Sequence, residues 1–113
     1  MFDLTAKRAL VTGASGGIGS AIARSLHAQG AFVVLSGTRG GALESLASEL
    51  GLNAYVVPAD LSSPEGAKNL ADAAAAAMGG IDILVNNAGL NRDNLAMRMK
   101  DEEWQTVLDV NLT

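Results

Sequence analysis

Three observations predict an α/β fold built on a doubly wound parallel sheet. Short apolar runs alternate four times with stretches of helical periodicity. Those runs are almost unbroken in their apolarity, as strands buried on both faces are. The first of them, Ala9-Leu10-Val11, leads through Thr12-Gly13-Ala14-Ser15-Gly16-Gly17-Ile18-Gly19 directly into a helix start, so strand, glycine turn and helix follow one another without a linker.

Taken in order, the first helix carries Ile18, Ala21, Ile22 and Leu26 at helical spacing on one expected apolar face, and Gly30 stands where a C-cap belongs. Ala31 to Leu35 reads as a second buried strand, ending in the glycine-rich turn Ser36-Gly37-Thr38-Arg39-Gly40-Gly41. Leu43, Leu46, Ala47 and Leu50 give a second helix up to Gly51. Asn53 to Val57, with Tyr55 inside it, is expected as a third buried strand, stopped by Pro58. Ser62 or Ser63 can cap the next helix, with Pro64 in its first turn and Glu65 near the positive end of its dipole. Its alanine-rich body, small enough to lie close on a sheet, stops at Gly79-Gly80. Ile81 to Val85 is the fourth strand and runs into Asn86-Asn87-Ala88-Gly89. Asp101, Glu102 and Glu103 then open a last helix, on which Trp104, Val107, Leu108 and Leu112 share an apolar face with Asn111. The expected strand order is 3-2-1-4, with a ligand at the carboxyl ends where the order reverses between strands 1 and 4.

Composition narrows the classes of function. The 113 residues leave room for one domain, and 49% hydrophobic residues suffice for a core. Eight Lys and Arg against twelve Asp and Glu give a net charge of −4, with no basic cluster, which argues against nucleic acid. Without cysteine there is no disulfide, no thiol nucleophile and no thiolate metal site, and the single histidine, His27, reads as a solvated or boundary residue. No apolar run approaches the length of a membrane span or a signal segment, so a cytoplasmic location is expected.

The chemistry concentrates in the turns that the strand order brings together. Glycines at 13, 17 and 19 keep side chains out of the way of a ligand, and the helix behind them aims its free N–H groups and dipole at whatever lies over the turn. A phosphate is the natural occupant; no Gly-Lys-Ser/Thr follows, so a P-loop is excluded. An NAD site would have an acid at the end of strand 2 to hold the ribose 2′-hydroxyl. Here Ser36-Gly37-Thr38-Arg39 stand there instead, which favours NADP(H), with Arg39 either forking onto the 2′-phosphate or serving only as a solvated turn residue. Asp60 has the address to accept from an adenine amino group, or is a helix-entry aspartate. Asn86 and Asn87 close a buried strand and must find partners, so they are expected to tie neighbouring loops together. Asn111, a primary amide on an apolar stripe, is either a brace or part of a polar site.

With these pieces in order, the whole chain resembles the short-chain dehydrogenase/reductase family: Thr12-Gly13-x-x-x-Gly17-x-Gly19, Asp60-Leu61, Asn86-Asn87-Ala88-Gly89 and Asn111. The run from Asn91 to Met99 followed by Asp101-Glu102-Glu103-Trp104 resembles the bacterial 3-oxoacyl-[acyl-carrier-protein] reductases within it. The resemblance implies a Rossmann-type fold, NADPH as cofactor, a 3-oxoacyl thioester on acyl carrier protein as substrate, and a homotetramer. It further implies that Gly13, Ser15, Gly17, Ile18 and Gly19 hold pyrophosphate and ribose, Thr38 and Arg39 the 2′-phosphate, Asp60 and Leu61 the adenine, Asn87, Ala88 and Gly89 the adenosine side of the cleft, and that Asn111 carries a proton-relay water. Gly16 stands where many NADP-preferring members have a basic residue. The family's tyrosine with a lysine four residues on is not matched, because the only tyrosine, Tyr55, is followed at that spacing by Ala59. Residues 1–113 are therefore expected to be the NADP(H)-binding half of a single Rossmann-type domain, with the catalytic half absent and strand 4 left with an open apolar edge. A short-chain reductase of another substrate, such as acetoacetyl-CoA, and a non-catalytic nucleotide-binding module are the alternatives.

Overall fold

A computed structural model of the chain describes residues 3–60, 63–87 and 108–111. The elements follow the order β1 (Arg8–Val11), α1 (Gly17–Ala28), β2 (Phe32–Leu35), α2 (Gly40–Leu50), β3 (Ala54–Val56), α3 (Pro64–Met78), β4 (Ile83–Asn86) and β5 (Leu108–Asn111). All of the strands lie in one sheet of order β3-β2-β1-β4-β5. Every pairing is parallel, with Ala9 beside both Val33 and Ile83 and Val33 beside Ala54. The expected 3-2-1-4 order thus stands, extended by one strand.

Helices cover both faces of the sheet, and the pleat decides which residue goes where. Ala9 and Val11 of β1 turn to the side of α1 and α2, meeting Ala23, Leu43 and Leu46. Leu10, between them, turns to the other side and meets Ala67, Leu70, Ala71 and Ala74 of α3. All three β1 residues are fully buried. A strand with helices on both faces has to be apolar at successive positions, and that is the unbroken run visible in the sequence. The alanines on α3 bring its backbone close to Leu10, Val34 and Leu84, while each buried leucine contributes on the order of 1.5–3 kcal/mol.

Local signals end the helices close to the expected positions. Ser63 caps α3, its hydroxyl accepting from the Gly66 N–H at 3.1 Å, and Gly79 closes that helix in the left-handed conformation at φ 81°. The C-cap of α1 is Gln29 rather than Gly30; Gly30 is the following residue, at φ 101°, and a Cβ there would stand 2.8 Å from the Thr5 hydroxyl.

At the sheet's amino-terminal end Arg8 and Asp82 lock β1 to the start of β4. The Arg8 guanidinium donates from Nε to Oδ2 at 3.0 Å and from Nη2 to Oδ1 at 3.2 Å, and its backbone N–H adds a third bond at 2.9 Å. These bonds hold the Asp82 carboxyl below its ordinary value.

Three expectations are corrected. Ile18 is 66% exposed and Ala21 is exposed as well, because the face that α1 lays on the sheet runs through Gly19, Ile22, Ala23 and Leu26. Tyr55 is exposed rather than buried, since β3 is an edge strand of three residues with a neighbour on one side only. Residues 108–111 form a strand, not helix, pairing with β4 from Ile83–Leu108 to Asn86–Asn111 and covering the edge expected to stay open. Leu108-Asp109-Val110-Asn111 alternates apolar and polar, so the segment carries the period of a strand as well as that of a helix. The unpaired N–H and C=O row on β4 decides between the two.

Because the Asp82 carboxyl titrates lower in the folded chain than in the unfolded one, the Arg8–Asp82 pair stabilises fully above the ordinary carboxylate range and is lost as pH falls through the depressed value. Urea unfolding should therefore show Asp82→Asn less stable than the parent near neutral pH, with the gap closing below about pH 4. An equal gap at both ends of the range would refute the linkage.

Candidate functional site

The site grows from the residue that closes β1. Thr12 is fully buried, and its N–H donates to the Val85 carbonyl at 2.9 Å. Its hydroxyl donates to that same carbonyl at 3.2 Å and accepts from the Asn87 N–H at 2.9 Å. The loop after β1 and the loop after β4 are thereby tied at the point where the strand order reverses. Gly13 follows at φ 64°, and a Cβ on it would lie 3.0 Å from the Asn87 carbonyl oxygen. The Asn87 side-chain amide reaches back to the Gly13 carbonyl at 3.5 Å.

The glycines of the turn serve different ends. Gly19 lies against the Gly13 carbonyl so closely that a Cβ would come within 2.1 Å of its oxygen, so α1 can start there only with glycine. A Cβ on Gly17 would have nothing within 4 Å, so no contact within the chain accounts for the absence of a side chain there. Gly16, the N-cap, offers no side-chain cap, and the first turn of α1 carries no acid. The positive end of the helix dipole is thus left uncompensated beside open space.

β2 supplies the opposite wall. The Ser36 N–H donates to the Val11 carbonyl and the Ala14 N–H to the Ser36 carbonyl, each at 2.9 Å, which draws the two turns together. Gly37 packs on Ser15, where a Cβ would be 2.8 Å from the Ser15 hydroxyl oxygen, and its carbonyl accepts from Ala59 N–H at 3.1 Å. Arg39 folds back over the gap and donates from Nη2 to the Ser15 carbonyl at 2.7 Å. It is neither a detached turn residue nor an arginine without a tether. Between the walls lies a cleft of about 320 Å³, lined by Thr12, Gly13, Ser15 and Gly16 on one side, Ser36, Gly37, Thr38 and Arg39 on the other, with Ala59 and Asn87. A more open hollow of about 510 Å³ continues from it past Gly37, Thr38, Pro58, Ala59 and Asp60.

Of the residues expected at the site, Gly13, Ser15, Thr38, Arg39 and Asn87 line the first cleft and Asp60 the second hollow. Gly17, Ile18 and Gly19 form the first turn of α1. Asn111 lies in β5 opposite Asn86, and Leu61, Ala88 and Gly89 fall outside the described residues. Thr12, Ser36 and Gly37 also line the cleft, though the sequence placed them only within the turns and assigned them no part of a ligand, and Ala59 lines it without having been expected there. Thr12 did carry a signal, since a hydroxyl that ends a strand buried on both faces must find partners. The others show themselves only through the approach of one turn to another. Among the described residues no group of His, Asp and Glu could hold a metal ion, and no helix is long and apolar enough to cross a membrane.

A cleft with an uncapped helix start on one wall and a tethered arginine on the other, at the carboxyl ends of a parallel sheet, fits the phosphates of a dinucleotide. The chain belongs to the short chain dehydrogenase family, whose model matches residues 7–113. It is 59% identical over its full length to Nodulation protein G of Rhizobium sp. (strain N33), covering 46% of that protein. It is 46% identical over 112 residues to the 3-oxoacyl-[acyl-carrier-protein] reductase FabG of Rickettsia conorii, covering 99% of this chain and 45% of the relative. The chain thus spans somewhat under half the length of these relatives. Among solved structures, 3-ketoacyl-(acyl-carrier-protein) reductase from Brucella melitensis complexed with NADH superposes with a TM-score of 0.74 at 39% identity, over 77% of this chain and 36% of that one. The RhlG/NADP active-site complex of Pseudomonas aeruginosa gives 0.72 at 43% identity, over 77% and 35%.

Thr12→Val should cost about 1–3 kcal/mol by urea unfolding, because it leaves the Asn87 N–H without its hydroxyl acceptor, while Thr12→Ser should stay close to the parent. A valine variant as stable as the parent would show that the hydroxyl does not join the loops.

Proposed function

We propose that this chain is the cofactor-binding half of an NADPH-dependent reductase that converts a 3-oxoacyl-[acyl-carrier-protein] to the (R)-3-hydroxyacyl product. The observation that carries the proposal is Arg39 tethered to the Ser15 carbonyl across a cleft whose lining, among the described residues, includes no carboxylate. A 2′-phosphate meets a guanidinium there, whereas a site for NAD would present an acid to the ribose hydroxyls. The family resemblance supplies the substrate: 46% identity to a 3-oxoacyl-[acyl-carrier-protein] reductase supports acyl carrier protein as partner, and a cytoplasmic homotetramer is the assembled form in this reading.

In this reading Gly13, Ser15, Gly17, Ile18 and Gly19 hold the pyrophosphate and the adjoining ribose, with the N–H groups of the first turn of α1 directed at the phosphate oxygens. Thr38 and Arg39 take the 2′-phosphate, Asp60 and Leu61 the adenine, and Asn87, Ala88 and Gly89 the adenosine side of the cleft. Bound NADPH supplies the hydride that reduces the substrate carbonyl. Asn111 holds a water that relays the proton, as the resemblance implies. The proton donor itself is not among these residues, since Tyr55 lies on an edge strand with Ala59, not lysine, four positions on.

A second reading keeps the family and changes the substrate, because the relative of 59% identity, Nodulation protein G, has a name that states no substrate. In that reading the same hydride transfer serves another 3-oxoacyl thioester, such as acetoacetyl-CoA.

Calorimetric titration of the chain should give tighter binding of NADPH than of NADH. Arg39→Glu should weaken NADPH by about tenfold or more, about 1.4 kcal/mol, with NADH much less affected. Equal weakening of both would remove the 2′-phosphate from the account. The 113-residue chain mixed with NADPH and a 3-oxoacyl thioester should show no loss of NADPH absorbance, and turnover would overturn the assignment of the proton donor elsewhere.

A further inference from the structure

Position 66 holds a glycine where a helix gains more from an alanine. Gly66 lies in the first turn of α3, a helix otherwise rich in alanine, and glycine is the poorer helix former. No positive φ calls for it. A close approach does: a Cβ at 66 would fall nearer to the Asp60 carbonyl oxygen than any non-bonded carbon can stand, and 2.9 Å from the carbonyl carbon. The Gly66 N–H meanwhile donates to the Ser63 hydroxyl at 3.1 Å, so the turn from Asp60 into α3 folds tightly onto this one residue.

The two sides of the contact are not equally free to move. α3 is fixed in place, because Ala67, Leu70, Ala71 and Ala74 are buried against Leu10, Val34 and Leu84. Asp60 follows β3 in a stretch held at its near end, where the Ala59 N–H donates to the Gly37 carbonyl at 3.1 Å. Residues 59 and 60 are thereby clamped between Gly37 on one side and Gly66 on the other. The same residues, with Gly37, Thr38 and Pro58, line the open hollow beyond the main cleft. A side chain at 66 would leave the helix on the sheet and displace Asp60 along the wall of that hollow.

We propose that Gly66 is a positioning residue for the adenine end of the dinucleotide: its bare Cα seats the Asp60 carbonyl, and that seat holds the Asp60 carboxylate where an adenine amino group reaches it. The inference rests on the reading that Asp60 meets the adenine, and carries it to a residue outside the lining of the hollow. Gly66 acts only through residue 60.

NADPH and its analogue with hypoxanthine in place of adenine separate this role from a merely structural one, since only adenine presents an amino donor to the carboxylate. Calorimetric titration of the parent chain should give tighter binding of NADPH by about fivefold or more. In Gly66→Ala the ratio should fall to about twofold or less. A variant that is only less stable lowers both apparent affinities by one factor, the fraction folded, and leaves the ratio where it was. Asp60→Ala should erase the difference between the two ligands, and adding Gly66→Ala to it should change the ratio no further. A parent that discriminates beside a Gly66→Ala variant that discriminates equally would overturn the role of Gly66 and spare that of Asp60. A parent that binds both ligands alike would overturn both.

Discussion

Everything at the cofactor end depends on how closely Gly19 approaches the carbonyl of Gly13. A Cβ at position 19 would stand 2.1 Å from that oxygen, well inside any tolerable contact. The approach sets the angle at which α1 leaves the turn, and hence where its first N–H groups point. The same carbonyl accepts from the Gly16 N–H at 3.2 Å and from the Asn87 side chain at 3.5 Å. One backbone oxygen therefore joins the glycine turn, the helix start and the loop after β4. Larger side chains at 13 or 19 would part these pieces, and no rearrangement of a flexible side chain could absorb the change, because the obstructing atoms are backbone.

The second wall is held by a chain of short backbone contacts instead of by charge. Val11, Ser36, Ala14, Gly37 and Ala59 exchange N–H and C=O groups across the ends of β1, β2 and β3. This rigid seam brings Arg39 within reach of the Ser15 carbonyl. A guanidinium tethered at one nitrogen loses less freedom when it meets an anion than one waving on a loop, which is how a single exposed arginine can bear on cofactor choice. The fold leaves that choice open: it superposes at nearly equal TM-scores on a complex with NADH and on one with NADP. In the proposed reading, discrimination belongs to the few residues at the end of β2.

At the other end of the sheet, the Arg8–Asp82 fork fixes β1 against the start of β4. It keeps the two central strands in the register that places Thr12 beside Val85 and Asn87. On both sides of the sheet the contacts that matter join residues some seventy-odd positions apart, as with Arg8 to Asp82 and Thr12 to Asn87. The cleft is therefore a property of the assembled sheet, and no local segment contains it.

By itself the sequence determined the alternation of strands and helices, the order 3-2-1-4, the glycine turn, the capping of α3 by Ser63 and the end of that helix at Gly79. These are legible because apolar period, capping chemistry and glycine punctuation act over a few neighbouring residues. Only the tertiary structure could separate Gly19, demanded by internal packing, from Gly17, which faces open space, since the difference lies in a carbonyl six residues back. Nor could the pattern show that Arg39 ties itself to Ser15, that Ile18 is left exposed, or that Tyr55 stands on an exposed edge. Residues 108–111 make the division plainest: their sequence is compatible with helix and with strand, and a row of unpaired polar groups on β4, contributed by residues far away in the chain, selected the strand.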